Sequence, residues 1–419
     1  MNFWQFHPFF PFYPLFGFWA NGQHKIDTDE GIVATPFIAE KTKSGETVTV
    51  SRSMKLSVVW ACVNLRSRII SSMPLNIKNQ DRTIAVDNPL YDLLHRSPNN
   101  DMTASDFWGL ISLDLDLWGN AYVLIKKNST GNITTLNPLP PAKVLPRRNQ
   151  NGSVSYLSYK DKEKKEEYQE YSEDEILHFR GISFDGLIGL SPIEYAANFL
   201  GSQIAADKTA DTLFANSLKS PVIIETGERI LQNAQREQLR ENLAYFTQPE
   251  NAGRALVLEA GQKIATNKIS LSPMDSQLLD SRKWGVEEIC RIFGVPPVLI
   301  GHTDKSSSWS SSLEQTNQQF LTYGIDPTLV RFEQTLEKKL LTATQRKDGM
   351  LIQFNRSALL RADMASRANF YTSLLQNGVM TRNEARSYED FPKSTEKQAD
   401  ELTVQLNMTT LSQLGQPEK

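Results

Sequence analysis

The sequence predicts an α+β fold: a mixed α/β body, a small α/β excursion held between two helices, and a mostly helical C-terminal part. Three observations predict it. Helical and strand-like stretches alternate from residue 56 to 190. Two matched helix starts, Ser191-Pro192-Ile193-Glu194 and Ser272-Pro273-Met274-Asp275, bracket a short segment with strands and a helix of its own. Beyond residue 313 the apolar periodicity is largely helical. At 419 residues the chain has room for two or three domains, and 40% hydrophobic with 22% charged residues is an ordinary globular balance.

Residues 1–55 read as an N-terminal arm. Its start, "MNFWQFHPFFPFYPLFGFW", holds ten aromatics in nineteen residues and no Lys or Arg. It has neither the basic start nor the small-residue cleavage site of a signal peptide. Pro8, Pro11 and Pro14 interrupt it as a membrane helix and suit a polyproline II edge. A docking arm for a partner protein and a tail without fixed structure are both open readings. "KTKSGETVTV" reads as a turn and short strand.

"LSVVWACVNLRSRIISSMPL" is helical, with apolar residues at 58, 59, 62, 63, 65, 69 and 70, and ends before Pro74. "PLNIKNQDRTIAV" reads as a hairpin and "NPLYDLLHRSPN" as a short helix closed by Ser97-Pro98. Thr103 or Ser105 caps "ASDFWGLISLDLDLW", and Gly119-Asn120 ends it. "AYVLIKK", "NITTLNPL", "KVLPRRN", "SVSYLSYK" and "EILHFRG" read as strands. The charged run "KDKEKKEEYQEYSEDE", residues 160–175, reads as a solvated hairpin tip or edge strand.

After Ser191 a helix runs with Ile193, Ala197, Leu200 and Ile204 on one face and Gln203, Asp207, Lys208 and Asp211 on the other. "PVIIET" and "RALVLEAG" are short strands around a charged helix, "ERILQNAQREQLRENLAYF". The helix after Ser272 carries Val286, Ile289, Cys290 and Phe293. It gives way to "FGVPPVLIGHTDKSSSWSSS", in which Pro296 and Pro297 stop the helix and Gly301 frees a turn. A long helix then starts near Leu313, kinks at Pro327, and continues through Phe332, Leu336 and Leu340. A helix, an Asn-Gly turn and a second helix follow, and residues from about 393 are polar and Gln-rich.

Net charge of −3 argues against a protein whose main task is gripping phosphates. Cys62 and Cys290 lie far apart in sequence, give no disulfide framework or zinc spacing, and read as two buried thiols in a reducing cytoplasm. None of His7, His24, His95, His178 and His302 sits in a metal or catalytic motif, and no phosphate-cradling loop or hydrolase elbow occurs. Asp114 and Asp116 are two apart on a helix, so they diverge and read as carboxylates on its polar side. No catalytic, cofactor or metal residue is expected, and no membrane partner.

Taken in order, "NPLYDLLHRSPN", "WGNAYVLIKK", "HFRGISFDGLIGLSPIEYA", "NAGRALVLEAG", "RKWGVEEICRIFGVPPVLIG" and "RADMASRANFYTSLLQNGVMTRNEAR" resemble the portal protein family of tailed bacteriophages, in the branch common among long-tailed phages. The resemblance covers about residues 55–392 and implies a domain plan. That plan has an α/β wing at 56–190, a first stem helix at 191–218, a clip at 219–272 and a second stem helix at 273–298. A tunnel loop at 299–312, a long wing helix at 313–349, a helical crown at 350–392 and a flexible tail at 393–419 complete it. It further implies a homo-oligomeric ring, usually a dodecamer, at one capsid vertex of the virion, assembled in the host cytoplasm. Such a ring nucleates head assembly, packages DNA with the large terminase subunit, retains and ejects it, and joins head to tail. The implied partners are double-stranded DNA, bound non-specifically, the terminase, major capsid and scaffold proteins, and head–tail connector proteins. A monomeric capsid-interacting adaptor and a metal-dependent nuclease or hydrolase are the alternatives.

On this resemblance Gln203, Asp207, Lys208 and Asp211 face the channel, and His302, Thr303, Asp304, Lys305, Ser306, Ser307, Ser308 and Trp309 form the DNA-facing tip. The chemistry suits moving DNA. Each Lys–phosphate contact adds salt-dependent grip, Asp304 offsets Lys305, and serines offer hydrogen bonds with no base preference. Trp309 either anchors the loop or touches DNA.

Overall fold

In the computed structural model the chain divides into two units, Met1–Phe354 and Asn355–Lys419. The structure describes residues 25–28, 30–159, 168–215, 224–225, 232–247, 263–264, 273–302, 315–356, 364–389 and 391–403. The aromatic start, the tip of the charged run, the "RALVLEAG" strand and residues 303–312 lie outside them.

The first unit runs β1 (Lys25–Thr28), β2 (Gly31–Ala34), β3 (Glu40–Lys41), β4 (Thr47–Val48), α1 (Val50–Ser53), α2 (Ser57–Ser71), β5 (Leu75–Lys78), α3 (Pro89–His95) and α4 (Ala104–Trp118). Next come β6 (Asn120–Lys127), β7 (Ile133–Leu139), β8 (Val144–Asn149), β9 (Val154–Tyr159), β10 (Tyr168–Ser172) and β11 (Ile176–Arg180). Then α5 (Pro192–Tyr195), α6 (Ala197–Ala215), β12 (Ile224–Glu225), α7 (Asn233–Thr247), β13 (Lys263–Ile264) and α8 (Pro273–Phe293) follow. The unit closes with α9 (Asp326–Leu340), α10 (Ala343–Lys347) and β14 (Leu351–Phe354).

Antiparallel pairing builds a five-stranded sheet in the order β1-β2-β8-β9-β10 and a three-stranded sheet β11-β6-β7. The expected arm therefore ends earlier than residue 55. β2 pairs with β8, Val33 opposite Arg147, and buries Val33 and Ala34. Gly31 makes that approach possible, because a Cβ there would stand 2.1 Å from the Arg148 carbonyl oxygen. Pro138 is tolerated because β7 is an edge strand. Residues 168–172 of the charged run are the edge strand β10.

The main core forms where α4, β11, α9 and β14 meet. Trp108, Phe107, Phe179, Phe332 and Phe354 are all at most 2% exposed. The Trp108 ring lies edge-on to Phe354 at 5.6 Å and to Phe179 at 6.3 Å, and its indole N–H donates to the Leu94 carbonyl at 3.2 Å. Truncating such a residue costs about 3–5 kcal/mol. Thr103 and Asp106 form a capping box at the start of α4, and Gly119 in the left-handed region ends it.

Four boundaries differ from the sequence reading. The helix after Ser191 breaks at Ala196 into α5 and α6. The kink before Phe332 is a π-helical turn, Phe320–Ile325, which runs straight into α9 with Pro327 in that helix's first turn. β12 pairs with β13 at Lys263–Ile264. β14, expected within a helical crown, pairs with β5 and buries Ile352 and Phe354 in the body; a four-residue alternation is too short to register against its helical neighbours.

The second unit holds α11 (Met364–Gln376) and α12 (Arg382–Tyr388), joined through Asn377 and Gly378, with φ of 67° at the glycine. Thr381 and Glu384 cap α12. The segment expected to be a flexible tail from 393 is tied down at its start. The buried Asn383 amide donates to Ser394 O at 3.1 Å and Asp400 Oδ1 at 2.9 Å, and accepts from Ser394 N at 2.8 Å.

Candidate functional site

Two motifs distant in sequence, "WGNAYV" and "HFRGISFDGLIGLSP", close on each other at the root of α6. Gly181 N donates to Gly119 O at 2.8 Å, and Ser191 Oγ donates to Leu117 O at 2.7 Å while accepting the Glu194 amide at 3.3 Å. A Cβ on Gly119 would stand 2.0 Å from the Leu190 carbonyl oxygen, and one on Gly189 2.0 Å from the Gly119 carbonyl oxygen. Asn120 holds the loop from beneath. Its Nδ2 donates to Gly189 O at 2.8 Å and Trp118 O at 3.0 Å, and its Oδ1 accepts Gly189 N at 2.7 Å.

That Oδ1 also accepts from His178 Nε2 at 2.9 Å, so Nδ1 is left to accept the Tyr156 hydroxyl at 3.3 Å. Burial, and then the Arg180 charge, hold His178 well below the usual imidazole range. It is a neutral brace for α6's root, with its ring 4.4 Å from that of Tyr122.

α8 and α6 lie side by side. A Cβ on Gly285 would stand 2.4 Å from Gln203 Oε1, and the Phe199 and Trp284 rings meet edge-on at 5.5 Å. Of the α6 residues singled out in the sequence, Gln203 thus stands against α8. Asp207 is half-buried, and Lys208 and Asp211 are exposed. Lys208 Nζ reaches Glu46 Oε1 at 3.0 Å, and Glu46, whose other oxygen takes Arg52 at 2.6 Å, has its carboxyl held below the usual range by those two cations.

The foot of α8 is closed by Gly294. With φ of 63°, it donates to Arg291 O at 3.3 Å while Val295 N reaches Cys290 O at 2.9 Å, a Schellman cap. The expectation that Pro296 and Pro297 stop the helix is thereby corrected. Gly294 stops it, and Pro297 opens a 3₁₀ turn, Pro297–Ile300, which Gly301 ends with φ of 84°. His302 N bonds back to Pro297 O at 3.0 Å, and its Nε2 stands 4.0 Å from Glu287 of α8. His302 is the one tip residue among those described; Thr303, Asp304, Lys305, Ser306, Ser307, Ser308 and Trp309 fall outside them.

His302, the last described residue before the loop, and Gln319, in the helical stretch after it, line one cleft of about 560 Å³ with Glu287, Cys290 and Tyr323. Sequence reasoning missed the residue that organises this joint. Arg66 of α2, 6% exposed, donates Nε to Asp116 at 2.8 Å and Nη1 to the carbonyls of Phe293 at 3.2 Å and Gly324 at 2.7 Å. Its Nη2 reaches Thr328 at 3.2 Å. One guanidinium therefore ties α2 and α4 to the end of α8, the π turn and α9.

Asp114 and Asp116 were expected on the polar side of α4; both are buried, because α4 is covered by α2 and the sheet. Burial pushes Asp116 up and Arg66 pulls it back, whereas Asp114 is pushed to about 7 by burial. The two thiols that lie far apart in sequence touch, Cys62 Sγ to Cys290 Sγ at 3.9 Å, and both are buried. Among the described residues no group of three His, Cys, Asp or Glu is placed to hold a metal, and no helix is long and apolar enough to cross a membrane.

Comparison with known proteins places this architecture. The profile of the phage portal protein family matches residues 57–390. The chain is 35% identical to the portal protein of Enterobacteria phage HK97 over 381 residues, 89% of this chain and 88% of that one. It is 28% identical to the probable portal protein of Streptomyces phage phiC31 over 392 residues, 89% of this chain and 83% of that one. A chain in the neck of a native gene transfer agent particle, computed with C12 symmetry, shares the fold with a TM-score of 0.56 at 20% identity, over 82% of this chain and 94% of that one. A profile match through body and helices alike, and a close portal relative along nearly the whole length, make the chain a member of the phage portal protein family.

Proposed function

We propose that the chain assembles into a ring, of twelve copies, that passes double-stranded DNA through one vertex of a phage head. The observation that carries the reading is the side-by-side placement of α6 and α8, with 216–272 leaving between them and the loop beyond His302 rooted at the foot of α8. α6 and α8 are the stem. The 219–272 excursion, with β12, β13 and α7, is the clip. The body from 56 to 190, with the long helix and β14, is the wing, so the crown begins after Phe354 rather than at 350. The loop at 299–312 is the DNA-facing tunnel loop, Trp309 its anchor, and Asp207, Lys208 and Asp211 face the channel.

Charge supports a sliding role. The α6 cation Lys208 is paired with Glu46, Arg291 of α8 with Glu288, and the net charge of the chain is −3. A lining that compensates its own cations holds few phosphates, so DNA is guided without being gripped. The reading is of a structural conduit with no catalysis of its own. The ring assembles in the host cytoplasm with capsid and scaffold proteins, takes DNA from the large terminase subunit, then sits in the virion against head–tail connectors.

Deleting residues 303–309 tests the loop's part. Rings form normally and particles carry less DNA, measured as genome equivalents per particle. Loss of soluble, folded protein on deletion contradicts a guiding role and makes the segment core scaffold.

A further inference from the structure

We propose that Cys62 and Cys290 are a covalent modification site, a dithiol that a two-electron oxidant of the peroxide class converts to a disulfide joining α2 to α8. The two sulfurs are already in contact at 3.9 Å, across helices that pack against one another. A disulfide requires about 2.05 Å, so closing it takes a further approach of roughly 2 Å. Both thiols are buried, so in the folded chain each is the other's nearest reaction partner.

The two sulfurs are not equivalent. Cys290 is fully buried but is the one of the two that lines the cleft, beside Glu287 and His302, so a small oxidant entering there meets it first. The Cys62 S–H hydrogen-bonds to Cys290, which draws the Cys290 thiol below its ordinary range and pushes that of Cys62 up, while burial and Glu287 oppose the Cys290 shift. Because Cys290 is the one of the two that lines the cleft, it is the attacking sulfur and Cys62 the resolving one.

The steps balance. The Cys290 thiolate attacks one peroxide oxygen, the O–O bond breaks, and a sulfenic acid forms. The departing hydroxide takes up the proton that Cys290 released and leaves as water. The Cys62 sulfur then attacks the sulfenic sulfur; the S–S bond forms, and the hydroxyl leaves with the Cys62 proton as a second water. Two thiols lose two electrons and one peroxide gains them.

The bond links positions 228 apart and fixes α8 to the body beside the loop's roots. A reducing cell interior keeps the dithiol open, and an oxidising exterior closes it. The inference rests on the contact between α2 and α8 and is independent of the ring.

The test treats the purified full chain with a small excess of hydrogen peroxide, then alkylates free thiols under denaturing conditions and maps the peptides. The expected result is loss of two hydrogens from the intact mass, no alkylation, and one intramolecular peptide pair carrying Cys62 and Cys290, reversed by a reductant. The oxidised chain unfolds at a higher temperature than the reduced one, and Cys290→Ser or Cys290→Ala gives no cross-link. Two fully alkylatable thiols after treatment, Cys290 carrying oxygen without a link, or links only between chains would each overturn the proposal; the wild-type measurement decides even where a variant fails to fold.

Discussion

Arg66 shows how a single side chain organises the joint and why its role hides in the sequence. The buried face of α2 is Val59, Cys62, Val63, Arg66 and Ile70, a helical series with a cation in an apolar slot. Counting apolar residues skips that slot, and the carbonyls it serves, on Phe293 and Gly324, are more than two hundred positions away. Removing Arg66 strands the Asp116 carboxyl without its cation. Arg66→Met therefore lowers stability by about 3–5 kcal/mol, and adding Asp116→Leu restores most of it, read from the urea unfolding midpoint. A single variant with the wild-type midpoint contradicts that role.

Asp114 makes a pH prediction at the same scale. Its folded pKa of about 7 lies above the ordinary 3.8, so over that window the folded chain binds more protons than the unfolded one. Stability contributed by this group is present at low pH and falls as pH rises towards 7, by up to about 1.4 kcal/mol per pH unit. Glu194, raised from 4.5 to about 7 by burial and then by Glu40, adds a slope of the same sign. Asp114→Asn removes the Asp114 share and leaves those of the other shifted groups, so from pH 5 to pH 7 the variant loses stability relative to the wild type less steeply, read as the difference between their unfolding temperatures. A pH dependence identical to that of the wild type excludes Asp114 as a contributor.

Elements with strong local signals were legible, and those set by distant partners were not. Thr103 with Asp106, Ser191 with Pro192, and the Asn377-Gly378 turn announce themselves within four residues. β2 and β14 do not, because each is a four-residue run defined by β8 or β5, far along the chain. The end of α8 was misread for a different reason: two prolines outweighed the glycine ahead of them, although Gly294 alone supplies the cap. Glycine substitutions separate a strained backbone from a crowded one. Both Gly119 and Gly294 have positive φ, but a Cβ at Gly119 meets the Leu190 carbonyl at 2.0 Å and one at Gly294 meets nothing within 4 Å. Gly294→Ala costs about 1 kcal/mol, whereas Gly119→Ala exceeds that several-fold, measured by thermal unfolding. Equal costs contradict the close approach of the two motifs at the root of α6.

At the scale of the whole molecule, the family was legible because its motifs are the joints: "WGNAYV" braces "HFRGISFDGLIGLSP", and "RKWGVEEICRIFGVPP" carries the foot of α8 onto Arg66. The candidate site was legible only in outline. Sequence marked α8 and the helical stretch leading to α9, but residues 303–309 lie outside the described residues, and the cleft lined by His302 and Gln319 is assembled from segments on either side of them. The proposed ring has α6 and α8 on its inner wall. Electron microscopy of the purified full chain, viewed down the particle axis, tests it most directly. The expected image shows rings of twelve subunits around an open channel, lined by α6 and α8 in the reconstruction. Monomers at every salt and protein concentration tried, or rings whose inner wall is built from other elements, would contradict it.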